Sequence, residues 1–98
     1  MKTFHVYILK CSDNSYYTGH TDNLEKRLSE HYAGLCPGYS STRLPVTLVY
    51  SAPMASRYEA LLAENKIKKW SRKKKEALIA GDWQLISELC SRKKKLDQ

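Results

Sequence analysis

Five side chains able to do chemistry stand in order along this chain: Tyr7, Tyr17, Arg27, His31 and Glu64. A phenol has an ordinary pKa near 10, so it acts as a base near neutrality only beside cations or a metal. Arg27 and His31 are neighbours if their segment is helical, being one turn apart. Two potential cations side by side need an anionic partner, either a protein carboxylate or a bound phosphate. Glu64 has the opposite need, because an inward carboxylate is costly unless it is paired or metal-bound. A buried Arg27–Glu64 salt bridge would satisfy both without any function. Each of the five, taken alone, is more commonly structural.

The elements that would position them read as follows. Thr3 to Cys11 alternates Phe4, Val6 and Ile8 with His5, Tyr7 and Leu9. That is a strand apolar on both faces, hence central in its sheet. Ser12-Asp13-Asn14-Ser15 is a turn by composition. Tyr16 to Thr18 follows as a short strand in a hairpin, placing Tyr7 and Tyr17 on neighbouring strands. Gly19 ends it where a side chain would obstruct a close approach. Asp22 with Glu25 signals a helix start, and the helix should run to about Ala33 and stop at Gly34. Leu24, Leu28 and Tyr32 form its buried stripe, with Arg27 and His31 on the flank of that stripe.

Gly34 to Pro45 is a loop by its glycines, prolines and serines. Its length suggests function, and Tyr39, Thr42 and Arg43 are candidate ligand contacts. Val46 to Ser51 is a third strand, ended by Pro53. Ser56 with Glu59 opens a helix from Arg57 to about Trp70. On it Glu64 lies between two apolar flanks, one of Tyr58 and Leu62 and one of Ala60, Ala63 and Ile67, and so should face inward. Ser71 caps a basic helix that stops at Gly81, and Asp82 caps a last short helix ending near Leu89. Residues 91–98 are expected to be a basic, disordered tail. The fold class is α+β: a small three-stranded, mainly antiparallel sheet flanked by three to four helices. Residues 1–90 are expected to form one domain, as 98 residues leave no room for a second core.

Charge is uneven. Residues 1–50 carry a net of +1 and residues 51–98 a net of +6. The excess sits in Lys66 to Lys75, which includes Lys68, Lys69, Arg72, Lys73 and Lys74, and in Arg92 to Lys95. A basic balance points to a polyanion, and nucleic acid is the commonest one. Solvated helix surfaces are the bland alternative. No apolar run approaches the roughly 20 residues of a membrane span, and no secretory signal is evident. A soluble, cytoplasmic, monomeric protein is expected. Cys11, Cys36 and Cys90 are odd in number and far apart, so they are expected to be plain thiols.

Val6-Tyr7 followed by Tyr17-Thr18-Gly19 resembles the paired signatures of the GIY-YIG nuclease superfamily. Arg27 and His31 match its first-helix arginine and histidine, and Glu64 matches its metal-binding glutamate. The resemblance covers roughly residues 4 to 80 and is closest to the small stand-alone bacterial members. It departs at His5, which replaces the first glycine, and at Val6 and Thr18, which replace isoleucines. His20 stands where some repair members carry lysine, and the family asparagine beyond the glutamate helix has no clear counterpart.

The resemblance implies an endonuclease that hydrolyses DNA phosphodiester bonds with one divalent metal, Mg²⁺ or Mn²⁺, in repair or recombination. Tyr7 would be the base, Tyr17 would orient water or phosphate, and Arg27 would stabilise charge on the phosphate. His31 would bind phosphate or relay a proton, and Glu64 would hold the metal. His20, Tyr39, Thr42, Arg43 and the six basic residues from Lys68 to Lys75 would meet nucleic acid. A binding module without catalysis is the alternative on the same fold. The five residues should in either case converge on one concave surface.

Overall fold

The computed structural model describes residues 3–36 and 38–96, with side chains described through Leu89. It divides after Lys68 into two compact units. The first holds β1 (Phe4–Lys10), β2 (Tyr16–Thr21), α1 (Leu24–Tyr32), a short 3₁₀ turn (Ser40–Thr42), β3 (Thr47–Met54) and α2 (Arg57–Lys68). The second holds α3 (Arg72–Ala80) and α4 (Trp83–Leu96). The fold class is α+β, as expected from sequence.

The sheet order is β2-β1-β3, with both pairings antiparallel. β1 is therefore central, which explains its apolar character on both faces. Val6, Tyr7, Ile8 and Leu9 are all at most 1% exposed. Burying an aliphatic side chain of this size contributes about 1.5–3 kcal/mol, so this run anchors the first unit. The β1–β2 turn is held by Asp13, whose carboxylate accepts from the Ser15 amide at 3.0 Å. Asn14 takes a positive φ of 68°, which asparagine tolerates better than most residues. In the register that follows, Tyr7 lies opposite Gly19 on one side and Ser51 on the other.

Four boundaries differ from the sequence reading. Gly19 does not end the second strand: β2 continues through it to Thr21, because His20 and Thr21 still pair with Val6 and His5 of the central strand. Asn23, not Asp22, caps α1, its side chain accepting from the Lys26 amide at 3.2 Å. Two adjacent residues could cap, and Asp22 instead faces Arg57 at 3.5 Å. Pro53 does not end the third strand but lies within it, opposite His5. β3 is an edge strand, where the missing proline N–H is tolerated. The last helix does not end near Leu89: its backbone stays helical through Leu96. Arginine, lysine and leucine are good helix formers, and no glycine or proline interrupts them. Residues 97 and 98 of the expected tail lie outside the described residues, and so does the Cys90 side chain.

Tyr7, Leu9, Cys11 and Val46 form a cluster against which Tyr17, Leu24, Leu28 and Leu48 pack, so α1 covers this face. α2 lies against β2 and β1. Ser56 caps α2 by accepting from the Glu59 amide at 3.1 Å, and Glu59 reaches back to the Ala55 amide at 3.2 Å. In the second unit Ser71 caps α3, Gly81 closes it with φ 73°, and Asp82 caps α4. α3 packs on α4, with Ala77, Leu78 and Ile86 buried. Among the described residues no helix is long and apolar enough to cross a membrane. Cys11 and Cys36 are free thiols.

Candidate active site

A cleft of about 320 Å³ opens over β2 and the helices beside it. Tyr7, Tyr17, Gly19, Arg27 and Glu64 all line it, joined by His20, Thr21, Asp22, Arg57 and Lys68. The central strand supplies Tyr7, the edge strand Tyr17 and Gly19, α1 supplies Arg27, and α2 supplies Glu64. Gly19 is there for space: a Cβ at this position would lie 2.7 Å from the Tyr7 hydroxyl.

His31 does not line the cleft. It sits behind Tyr7 and is 1% exposed. Its Nε2 is 2.9 Å from the Tyr7 hydroxyl, and its Nδ1 is 2.9 Å from Ser40 Oγ. The apolar pattern of α1 had placed His31 on the flank and Tyr32 in the stripe. The helix is rotated slightly from that reading: Leu24 and Leu28 still face the core, but His31 is inside beside them and Tyr32 is half-exposed. A polar ring can occupy the interior when both nitrogens are satisfied, and here partners from β1 and the 34–45 loop satisfy them. On α2 only the Ala60 and Ile67 flank is buried, while Tyr58, Leu61 and Leu62 are exposed.

Glu64 faces inward, as its helix position requires, and is 8% exposed. Its Oε1 is 2.7 Å from His20 Nδ1 and its Oε2 is 3.0 Å from Lys68 Nζ. Burial alone would raise its pKa, but the hydrogen bonds and charges of His20 and Lys68 hold it below the usual value. The carboxylate is thus ionised and can only accept, so His20 Nδ1 carries a proton. Arg27 pairs with Glu30 instead, Nε to Oε1 at 3.5 Å, and keeps its side chain 45% exposed. The Arg27–Glu64 bridge that the sequence left open does not form.

Burial, together with the neighbouring Tyr17, pushes the Tyr7 pKa well up. Burial also raises that of Tyr17, against the pull of the Lys68 charge. Both are protonated phenols at neutrality. Burial and then the Arg27 charge lower the His31 pKa from 6.5. Below that value the unfolded chain takes up a proton that the folded chain refuses. The His31 contribution to stability is therefore complete above pH 6.5 and is lost as pH falls through the folded pKa. Thermal denaturation should show the melting temperature falling as pH drops below about 6.5. His31→Gln, which does not titrate, should have a flatter profile there. Parallel profiles would mean that other groups set the acid limb.

The loop residues take other places. Tyr39 stacks on Tyr17 with centroids 6.4 Å apart. The Arg43 guanidinium lies 3.7 Å from the Tyr39 ring centroid and donates to Asp13 Oδ2 at 3.0 Å. Thr42 Oγ1 donates to the Tyr39 carbonyl at 3.1 Å. Lys69, Arg72, Lys73, Lys74 and Lys75 belong to the second unit. There Arg72 pairs with Glu76 at 3.3 Å and Lys74 lies 4.3 Å from the Trp70 ring centroid. Sequence reasoning missed Ser40 and Arg57. Nothing marks Ser40 in the sequence, whereas Arg57 shows only as a cation in the first turn of the helix that carries Glu64.

These features coincide with a known family. The GIY-YIG catalytic domain matches residues 3–77, and the chain belongs to that family, whose members include endonucleases. It is 47% identical to a UPF0213 protein of Staphylococcus haemolyticus, over 81% of this chain and 96% of that one. A UPF0213 protein of Halobacterium salinarum is 46% identical, over 76% of this chain and 97% of its own length. Among solved structures, the UPF0213 protein BH0048 of Bacillus halodurans is 38% identical, with a TM-score of 0.53 over 80% of this chain and 83% of that one. Protein EF2693 of E. faecalis is 36% identical, with a TM-score of 0.58 over 86% and 90% of the two chains.

Proposed function

We propose that this protein is a metal-dependent endonuclease that hydrolyses DNA phosphodiester bonds. The observation that carries the reading is the meeting of Tyr7, Tyr17, Arg27 and Glu64 on one open cleft, from four separate elements. In this reading Tyr7 accepts a proton from the attacking water while its own proton passes to His31 Nε2, 2.9 Å away. No free tyrosinate has to exist, which is how a phenol of raised pKa can still serve as base. Full burial of His31 favours this relay over direct phosphate binding. Tyr17 orients the water or the phosphate. Arg27, half-exposed on the cleft wall, stabilises the charge that grows on the phosphate oxygens.

A divalent cation suits Glu64, the ionised carboxylate of the cleft. One hard oxygen donor completed by several waters is the usual binding mode of Mg²⁺. Lys68 is half-exposed and can swing aside to release Oε2. When bound, the metal would stabilise the leaving oxygen. Among the described residues no group of three or more His, Cys, Asp or Glu side chains is gathered as a ligand set, so Glu64 would hold the ion mainly with water.

The test uses supercoiled plasmid with Mg²⁺ or Mn²⁺, with EDTA and Glu64→Ala as controls. Nicking should require metal and fall at least about 100-fold in the variant, since metal stabilisation supplies several kcal/mol. Equal nicking by both proteins would overturn the assignment of Glu64. Salt-sensitive binding without cleavage of plasmid or branched DNA would point to the binding module.

A further inference from the structure

We propose that Ser40 is a positioning residue, whose hydroxyl accepts the Nδ1 proton of His31 and so keeps Nε2 free to receive the proton of Tyr7. Its weight in catalysis rests on the proton relay proposed above, but its geometry is testable without any cleavage.

Tyr7, His31 and Ser40 form an unbroken line of hydrogen bonds, both at 2.9 Å, and each residue is at most 3% exposed. A neutral imidazole has one N–H and one lone pair, so the two bonds are coupled. If Tyr7 donates to Nε2, then Nδ1–H donates to Ser40. If Ser40 donates to Nδ1, then Nε2–H points at Tyr7 and the phenol proton must turn towards the cleft. Only the first arrangement leaves the Tyr7 oxygen with its lone pairs towards the water it is to deprotonate. It also gives the buried phenol proton a protein acceptor.

The loop around Ser40 is built to hold it still. Arg43 Nη1 donates to the Tyr39 carbonyl at 2.9 Å and to Thr42 Oγ1 at 3.0 Å. The same side chain covers the Tyr39 ring and is tied to Asp13 in the β1–β2 turn. Tyr39 in turn stacks on Tyr17. The three loop residues that the sequence suggested as ligand contacts thus flank Ser40 and fix the turn that presents it.

The proton count closes. The water proton goes to Tyr7 Oη, and the Tyr7 proton goes to Nε2, making His31 an imidazolium whose Nδ1–H stays on Ser40. The water oxygen bonds to phosphorus, and the leaving oxygen departs with the electron pair of the broken P–O bond. His31 then returns its proton through Tyr7 to solvent.

The experiment is nitrogen-15 NMR of the histidine rings of the full chain above pH 7, paired with single-turnover plasmid nicking. Wild-type His31 should be the Nδ1–H tautomer. Ser40→Ala should shift it towards Nε2–H and lower cleavage about 10–100-fold, by analogy with the cost of removing the orienting partner of a metal-bound histidine. Ser40→Thr should restore both. Ser40→Cys, close in size with a weaker acceptor, serves if alanine prevents folding, and should show a partial shift. An Nε2–H tautomer in the wild type, or a tautomer unchanged in Ser40→Ala and Ser40→Cys, would overturn the proposal. So would equal cleavage losses in the alanine and threonine variants. The expected tautomers in a protein that cuts no DNA would support the positioning and sink the endonuclease reading alone.

Discussion

Tyr7→Phe should lower metal-dependent cleavage by about 10²–10⁴-fold, the range attributed to a general base, while leaving the protein folded. The ring stays, so the packing of β1 against Leu24 and Leu28 is kept. What is lost is one hydroxyl, and His31 Nε2 is left buried with no partner from Tyr7. Such an orphaned group costs about 1–3 kcal/mol, within the roughly 5–15 kcal/mol that holds a domain together. Tyr17→Phe is the informative comparison. The Tyr17 ring packs against Tyr7, His31 and Tyr39, contacts that phenylalanine retains. Its cleavage loss should be the smaller of the two if Tyr17 only orients water or phosphate. Single-turnover rates with thermal denaturation of both variants decide the matter. A larger loss in Tyr17→Phe would exchange the roles of the two tyrosines.

Much of this arrangement is legible in the sequence because it depends on local chemistry. Alternation and β-branching mark the strands. Ser56, Ser71 and Asp82 mark the helix starts, and Gly34 and Gly81 the stops. Helical spacing alone turns Glu64 inward. What could not be read depends on partners from distant segments. His31 counts as polar in any periodicity, yet it is buried because Tyr7 and Ser40 meet its two nitrogens. Arg43 looks like a free cation until the fold brings Asp13 to within 3.0 Å across 30 residues of chain. Lys68 is the intermediate case. It stands one helical turn after Glu64, a spacing that signals pairing, but its place in a lysine-rich run suggests nucleic acid instead. The ion pair forms at 3.0 Å, and under the endonuclease reading proposed above Lys68 would have to move for Oε2 to take up a metal.

Gly19→Ala should damage the site more than its size suggests. Gly19 has no left-handed φ, so the backbone accepts alanine and the whole effect comes from space. The added Cβ would lie 2.7 Å from the Tyr7 hydroxyl, 2.8 Å from its Cζ and 3.2 Å from Tyr17 Cε2. Neither ring is a free end of a flexible chain. Tyr7 is 1% exposed and bonded to His31, and Tyr17 is wedged among Tyr7, His31 and Tyr39. Relief must come from shifting β2 or tilting the Tyr7 ring off His31. Overpacking of this kind costs about 1–3 kcal/mol. For a domain this small each kcal/mol lowers the melting temperature by about 4–8 °C. A displacement of about 1 Å at a reacting group costs about 100-fold in rate, so cleavage should fall at least that far. Tyr7→Phe removes the closest clashing atom but leaves Cζ, so the double variant should melt above the sum of the two single losses without regaining activity. That coupling is measured by a double-mutant cycle on melting temperature. A Gly19→Ala protein with wild-type melting and wild-type cleavage would show that the Tyr7 hydroxyl does not depend on the space above Gly19.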